Sequence, residues 1–210
     1  ETLKETERWL KETETGYGQV KPILTPRYTP TCTDACMEGL QVLSEKYQVP
    51  VQSHLSEGLD EIEWVKQLKP GLSCYGEAYD MYDLLGSRQP AVMAHVVHPN
   101  EAEYELIKHR NVLVAHCPQS NTNAANGVAP ILQMVHDGIR VGLGTDMAGG
   151  YNLNLLRTIT DAIQASKLRW CFTERNGDPF AKKNFLTVAN AFYLATKGGG
   201  SFFGKVGSFE

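Results

Sequence analysis

The sequence predicts a parallel α/β fold in which short apolar strands alternate with helices. Five times along the 210 residues, an apolar run precedes a stretch with helical periodicity, as βα units around a parallel sheet do. The runs are almost continuously apolar, as expected when helices or a barrel interior cover both faces of the sheet. An open doubly wound sheet and part of a (β/α)8 barrel both fit, but no Gly-x-Gly-x-x-Gly follows the first strand, which disfavours a nucleotide-binding open sheet.

Each predicted strand is followed by a predicted helix. The strands are expected at residues 21–25, 49–54, 91–95, 112–116 and 140–144. The first helix is capped by Thr33 or Asp34 and runs through Met37, Leu40 and Leu43. Further helices are expected at residues 58–68, 100–109, 130–137, 152–167 and 184–196.

Composition limits the class of protein. Hydrophobic residues make up 42% and charged residues 21% of the chain, which is ordinary for a globular protein. The net charge of −4 gives no reason to expect nucleic acid or an anionic membrane as a partner. No apolar run approaches the roughly 20 residues of a membrane helix, and the charged start does not look like a signal peptide.

Cysteine usage predicts reduced thiols. The five cysteines are irregularly spaced and odd in number, which favours a cytoplasmic setting over a disulfide framework. Cys32 and Cys36 lie four residues apart, and no second cysteine pair completes a zinc cage. We therefore interpret them as residues of helix packing.

Polar, titratable residues stand at the ends of successive predicted strands. Arg27 follows the first strand, His54, His95 and His116 end the next three, and Asp146 follows the fifth. The carboxyl ends of parallel strands share one rim, and active sites of barrels lie there. Three histidines and an aspartate on this rim favour a metal or acid–base site over isolated structural histidines.

Glu57 admits two interpretations of equal weight. It lies three residues after His54, where it can carry protons beside whatever His54 binds. It can equally be a solvated carboxylate near a helix N-terminus, although Ser56 and Leu59 do not form a complete capping box. Asn121 and Asn123 fall in a polar stretch that either binds a substrate or turns the chain.

Several motifs in this order resemble one enzyme family. They are Ser53-His54-Leu55-Ser56-Glu57, Met93-Ala94-His95, Ala115-His116-Cys117-Pro118-x-Ser120-Asn121 and Gly142-Leu143-Gly144-Thr145-Asp146-x-Ala148-Gly149-Gly150. They resemble the amidohydrolase superfamily, and more narrowly its guanine deaminases. Thr25-Pro26-Arg27-Tyr28 is similar to the purine-contacting segment of those enzymes. The resemblance extends from about residue 21 to residue 210.

The resemblance implies a (β/α)8 barrel of the metal-dependent amidohydrolase type with one Zn²⁺, or in some members iron, per site. It implies that His54 and Asp146 are metal ligands and substrate contacts. Glu57 is then the proton shuttle and a substrate contact, and His95 faces the reacting water or the substrate. The implied catalytic residues are thus Glu57, His95 and Asp146.

The implied reaction is hydrolysis of guanine to xanthine and ammonia, as in purine catabolism. Arg27 and Tyr28 are the implied substrate-binding pair, because a guanidinium offers planar donors to the purine carbonyl. The implied protein is a cytoplasmic homodimer that acts on a small molecule and has no nucleic-acid or membrane partner.

The sequence departs from the family pattern in one respect. It contains no His-x-His pair, which family members place after the first barrel strand as two further metal ligands. We therefore expect residues 1–210 to be a single barrel portion with about five βα units, approximately strands four to eight, without the first strands or the β-sandwich segments. Such a chain alone is expected to have little or no deaminase activity.

Two other functions remain open on the sequence. The chain can belong to a related deaminase that acts on a triazine, a pterin or an adenosine derivative, although Arg27 favours guanine. It can also be a non-catalytic fragment or binding module that retains these residues by ancestry. Tight stoichiometric zinc in the purified chain would count against the second alternative.

Overall fold

In the computed structural model, which describes residues 1–16, 20–204 and 206–207, one parallel sheet carries the predicted rim. Its strands are β1 (Val51–Leu55), β2 (Ala91–His95), β3 (Leu113–His116) and β4 (Arg140–Leu143). They are hydrogen-bonded in sequence order, and all three neighbouring pairs are parallel. This order is expected when each strand returns to the sheet through a helix on the same face.

Helices connect and surround these strands. In chain order, the α-helices are α1 (Thr2–Gly16), α2 (Asp34–Tyr47), α3 (Leu59–Leu68), α4 (Glu77–Asp80), α5 (Glu101–His109), α6 (Pro118–Asn123), α7 (Ile131–His136), α8 (Leu155–Arg169) and α9 (Val188–Tyr193). Short 3₁₀ segments lie at Thr29–Thr31 and Ser201–Phe203, and π-helical turns follow α8 and α9 at Trp170–Glu174 and Leu194–Gly198.

The first predicted strand is much shorter than expected. Within the described ranges it is reduced to one parallel bridge between Leu24 and Val51. The amide of Leu24 donates to Pro50 O, and the amide of Gln52 donates to Leu24 O. Pro22 and Pro26 lie on either side of Leu24 and have no N–H to extend the ladder. The expectation of five strands is therefore corrected to four strands and a bridge.

The two faces of the sheet have different surroundings. Val51, Leu55 and Met93 are buried on the face that the helices cover. Gln52 and Val92 alternate with them and border a hollow of about 400 Å³, with Phe202 and Phe203 also on its lining. Helices thus cover one face, and the other lines a concavity, as the inner face of a partial barrel does, in agreement with the expectation that helices or a barrel interior cover the two faces.

Helix starts in the βα units follow the caps that the sequence offers. Thr33 Oγ1 accepts from Cys36 N at the start of α2, and Asn100 Oδ1 accepts from Glu103 N at the start of α5. These caps satisfy amides that have no partner inside the helix. The predicted starts of both helices are confirmed, whereas α1, α4 and α6 were not predicted from the sequence.

The cysteines and the helix lengths agree with the composition. All five cysteines are free thiols, and Cys32 and Cys36 pack against the buried core. Among the residues that the structure describes, no helix is long and apolar enough to cross a membrane.

Candidate active site

A polar cleft of about 280 Å³ lies at the rim formed by the carboxyl end of β1. It is bordered by residues from the segment before the sheet, the β1–α3 loop and the loop after α6. Its lining residues are Arg27, Tyr28, His54, Glu57, Gly58, Asp60, Glu61 and Asn126. Three segments that are distant in sequence therefore meet at one opening, as the rim argument predicts.

His54 is oriented by a backbone carbonyl. Its Nδ1 lies 2.5 Å from Arg27 O, and since a carbonyl can only accept, Nδ1 carries the proton. The lone pair is then on Nε2, and the ring borders the cleft. Carbonyl-oriented imidazoles of this kind are common among metal-ligating histidines.

His95 stacks on His54 and faces Glu57. The two imidazole rings have centroids 5.3 Å apart and an interplanar angle of 12°. His95 Nδ1 lies 2.9 Å from Asn121 Oδ1, and His95 Nε2 lies 3.5 Å from Glu57 Oε2. With Nδ1 donating to Asn121, one proton can lie between Nε2 and the carboxylate, as acid–base work requires.

Glu57 is held from two sides at the edge of the cleft. Its side chain is 24% exposed, and Asn126 Nδ2 donates to its Oε1 at 3.0 Å. Its own backbone amide donates to Glu61 Oε2 at 3.3 Å. Of the two interpretations left open by the sequence, this geometry favours a carboxylate that works with the two histidines over a freely solvated one.

Left-handed backbone conformations cluster where the strands end. Ser56 has a φ of 47°, His95 of 76°, Val96 of 46° and Asp146 of 45°. Non-glycine residues in this region are uncommon and carry about 1–3 kcal/mol of strain each. Strain of this kind concentrates at functional sites, where the surrounding structure enforces it.

Asp146 lies on the same rim but in a separate loop. A Cβ on Gly149 would lie 2.6 Å from Asp146 Oδ2 and 2.6 Å from Ser120 Oγ. The Asp146 carboxylate and the Ser120 hydroxyl therefore both lie beside Gly149. Burial first, and then the charges of Asp146 and Glu57, raise the pKa of the Cys117 thiol to about 12. Both carboxylates therefore face the region of Cys117, although no hydrogen bond joins Asp146 to His54 or Glu57 in the described parts of the chain.

Arg27 and Tyr28 line the cleft beside helix α3. The Arg27 guanidinium is exposed and has no hydrogen-bond partner among the described residues. Tyr28 packs edge to face against Trp64, with ring centroids 6.2 Å apart. A free guanidinium beside a fixed aromatic ring suits a flat heterocycle with a carbonyl oxygen.

His116 does not join the cleft. It is completely buried, its Nδ1 has no partner in the described structure, and burial together with His95 lowers its pKa to about 3. It is thus a neutral core residue, so only two of the three strand-end histidines meet. His98 also lies outside the cleft lining and contacts Asn126 O through its Nε2.

The donors for a metal ion are incomplete in the described part of the chain. No three histidine, cysteine, aspartate or glutamate side chains there come close enough to hold a metal. His54, with Nε2 available, and Asp146 are donors of the types that zinc prefers. The donor types of these two residues thus suit zinc, while the described residues bring no group of three such donors together.

Sequence reasoning missed three residues that contact the site. Asn126 binds Glu57, Glu61 accepts from the Glu57 amide, and Tyr79 Oη donates to His54 O at 2.8 Å. Asn126 and Tyr79 had no sequence signal, because they follow no strand directly. Asn121 was considered as part of a loop, and the structure places it on a short helix against His95.

The sequence matches one enzyme family and is similar to individual guanine deaminases. The amidohydrolase family model matches residues 1–210. Guanine deaminase of Dictyostelium discoideum is 42% identical over 184 residues, covering 88% of this chain and 39% of that protein. Guanine deaminase of Mus musculus is 37% identical over 214 residues, covering 100% of this chain and 45% of that protein. The chain therefore spans less than half the length of these relatives.

Solved structures agree with the fold. Guanine deaminase from C. acetobutylicum with bound guanine in the active site superposes with a TM-score of 0.92 at 47% identity, covering 99% of this chain and 48% of that one. An adenosine deaminase from Xanthomonas campestris with bound zinc superposes with a TM-score of 0.81 at 23% identity, covering 98% and 45%. The second likeness supports the barrel architecture alone.

Proposed function

This chain belongs to the amidohydrolase family, and we propose that the protein containing it hydrolyses guanine to xanthine and ammonia. The observation that carries the proposal is a series of contacts along the cleft. Arg27 O orients His54, His54 stacks on His95, and His95 faces Glu57. The similar guanine deaminases, one of them solved with guanine bound, support this choice of substrate.

In the proposed site, Arg27 and Tyr28 bind the purine. The exposed guanidinium donates to the carbonyl oxygen of guanine, and the Tyr28 ring lies against the heterocycle. Trp64 supports Tyr28 from the side of helix α3. This pair distinguishes guanine from rings that have no carbonyl at that position, because a ring without an acceptor leaves the guanidinium without a partner.

The proposed metal ligands from this chain are His54 and Asp146. A bound zinc ion, or iron in its place, makes a water nucleophilic near neutral pH by lowering its pKa. The donor types of these two residues, an imidazole nitrogen and a carboxylate, support a metal cofactor. We propose that the remaining ligands, a His-x-His pair, lie in a part of the protein outside residues 1–210.

In the proposed reaction, two side chains move protons and a third positions one of them. Asp146 accepts a proton from the attacking water, and Glu57, which starts protonated, gives a proton to a ring nitrogen as oxygen bonds to C2 of guanine. With help from Glu57, the proton on Asp146 passes to the amine; Glu57 takes the proton of the C2 hydroxyl as the C2 carbonyl forms, the C2–N bond breaks, and ammonia leaves. His95 steadies the carboxylate of Glu57 through the contact of its Nε2 with Glu57 Oε2.

We also propose an arrangement for the whole protein. Residues 1–210 form approximately strands four to eight of the barrel, and the rest of the protein supplies the first strands and a β-sandwich. Coverage of 39% of one relative and 48% of a solved neighbour supports a larger whole. The free cysteines support a cytoplasmic setting, and family resemblance is the basis for proposing a homodimer.

The experiment measures ammonia and xanthine release from guanine by the full-length protein loaded with zinc. Wild-type protein should turn over guanine, and Glu57→Gln should lower kcat by about 100-fold to 10,000-fold, because glutamine cannot transfer the proton. Glu63→Gln is the matched control. It lies on helix α3, six residues after Glu57, is exposed, and among the described residues pairs with Lys66 at 3.8 Å, so turnover should be unchanged.

A substrate panel decides among related reactions. Guanine, adenosine, a chlorinated triazine and a pterin are offered to the same preparation. Faster turnover of another ring than of guanine would refute the proposed substrate. A zinc-loaded full-length protein that deaminates none of them would refute the enzymatic function.

A further inference from the structure

Glu61 lines the cleft and contacts the backbone of Glu57. It lies in the first turn of α3, which begins at Leu59 after the Gly58 cap. Its Oε2 accepts from the amide of Glu57 at 3.3 Å. The peptide unit that carries the proposed proton shuttle is therefore hydrogen-bonded to this carboxylate.

The second oxygen of Glu61 connects to a buried pair of tyrosines. Tyr75 Oη donates to Glu61 Oε1 at 2.8 Å. Tyr75 stacks on Tyr79 with ring centroids 5.6 Å apart and an interplanar angle of 18°. Tyr79 Oη in turn donates to His54 O at 2.8 Å. Both tyrosine rings are buried, at 4% and 0% exposure, so these bonds are protected from water.

The same hydroxyls reach the segment that carries Arg27. Ser53 Oγ lies 2.8 Å from Tyr79 Oη and 2.7 Å from Pro26 O. The amide of Thr29 donates to Tyr75 Oη at 3.4 Å. One network thus joins the backbones of the substrate segment, the strand end at His54 and the loop at Glu57.

We propose that Glu61 is a positioning residue for the reaction, which sets the place of Glu57 relative to His54 through the Tyr75–Tyr79 pair. This inference rests on the proposed guanine deamination. Glu61 does not touch the reacting atoms in this role. It fixes the peptide unit at Glu57, and the tyrosines connect that loop to the strand end from which His54 projects.

The physical basis is the sensitivity of proton transfer to position. A displacement of about 1 Å at a reacting group can lower a rate by about 100-fold. The β1–α3 loop has a left-handed residue, Ser56 with a φ of 47°, immediately before Glu57. Such a backbone conformation persists only when its surroundings hold it, and the Glu61 carboxylate accepts from the amide directly after it.

A simpler role for Glu61 must be separated from this one. A glutamate in the first helical turn that reaches back to the cap amides stabilises the helix start, as half of a capping box does. Capping alone would affect the stability of α3 and leave kcat unchanged. It would also give no role to Tyr75, which lies outside α3 and binds the other carboxylate oxygen.

The experiment compares Glu61→Gln, Tyr75→Phe and their double variant in the zinc-loaded full-length protein, with Glu63→Gln as control. In Glu61→Gln, we expect kcat to fall by about 10-fold to 100-fold while KM for guanine stays within about 3-fold. Tyr75→Phe leaves the hydrogen bond from the Glu57 amide to Glu61 intact and should lower kcat by about 3-fold to 10-fold. The double variant should be no slower than Glu61→Gln, because both residues act through one network.

Several outcomes would overturn the inference. Normal kcat in both single variants, with a lowered melting midpoint in Glu61→Gln, would leave only helix capping. A change confined to KM would also refute a role in positioning Glu57. If wild-type protein releases no ammonia from guanine, the proposed function fails, and the positioning role fails with it. Active wild-type protein with unaffected variants overturns this inference alone.

Discussion

Replacing Glu103 by glutamine should remove a pH dependence of stability that burial of this carboxyl creates. Glu103 is 1% exposed in helix α5, and its Oε1 accepts from Gly76 N at 2.8 Å. Burial raises its pKa from 4.5 to about 7, against the opposing hydrogen bonds from Ser56 and Gly76. A glutamine keeps the size and the acceptor of this side chain but cannot ionise.

The sign and size of the effect follow from linkage. Below pH 4.5, the carboxyl is neutral in both the folded and the unfolded state, so its burial carries no charge penalty. As the pH rises from 4.5 through 7, the unfolded state releases the proton first, and stability is lost. A difference between pKa values of 4.5 and about 7 corresponds to about 3 kcal/mol, since one pKa unit is worth about 1.36 kcal/mol.

The assay is urea unfolding of wild-type and Glu103→Gln protein at pH 4.5, 6 and 8, with the midpoints compared at each pH. The variant should be close to wild type at the lowest pH and about 3 kcal/mol more stable at pH 8. Glu101→Gln, an exposed position on the same helix, is the control and should show no such trend. An equal difference between Glu103→Gln and wild type at all three pH values would refute the reasoning, as would a less stable variant at pH 8.

Two further changes test the rim and the core. In Gly149→Ala, the new Cβ would lie 2.6 Å from Asp146 Oδ2 and from Ser120 Oγ. Since these atoms are the ends of flexible side chains, we expect the free energy of unfolding to change by less than about 1 kcal/mol. Guanine turnover should fall at least about 10-fold, because Asp146 is displaced. Unchanged turnover would show that Asp146 takes no part in the reaction. In Met93→Ala, loss of a side chain with 0% exposure should lower the free energy of unfolding by about 2–5 kcal/mol, measured by urea unfolding, and a loss below about 1 kcal/mol would contradict the packing described for β2.

The sequence predicted the elements with strong local signals. Strand β2 has the predicted limits, and α5 begins within one residue of its predicted start at residue 100. These segments are predictable because a continuous apolar run or a capping side chain acts within a few residues. The first strand was predicted too long because the prediction followed its apolar pattern. Pro22 and Pro26, on either side of Leu24, have no N–H that could extend the ladder.

The candidate site was only partly predictable. The titratable residues at the strand ends, among them His54 and Glu57, follow from the position of the rim in a parallel fold. The partners that fix them do not, since Asn126 lies 69 residues from Glu57 and Tyr79 lies 25 residues from His54. Their roles depend on how the helices pack, which no local pattern records.

The sequence by itself determined the alternation of strands and helices, the residue types on the rim and, through the motifs, the family. Tertiary structure decided which of those residues meet. The register pairs His54 with Ala94 and Leu55 with His95, so regular alternation would direct His54 and His95 to opposite faces. Instead, with the backbone at His95 in a left-handed conformation, the two rings stack 5.3 Å apart, whereas His116 ends its strand with its ring in the core. Local apolar patterns cannot distinguish these outcomes, because the backbone at each strand end is set by contacts with distant helices.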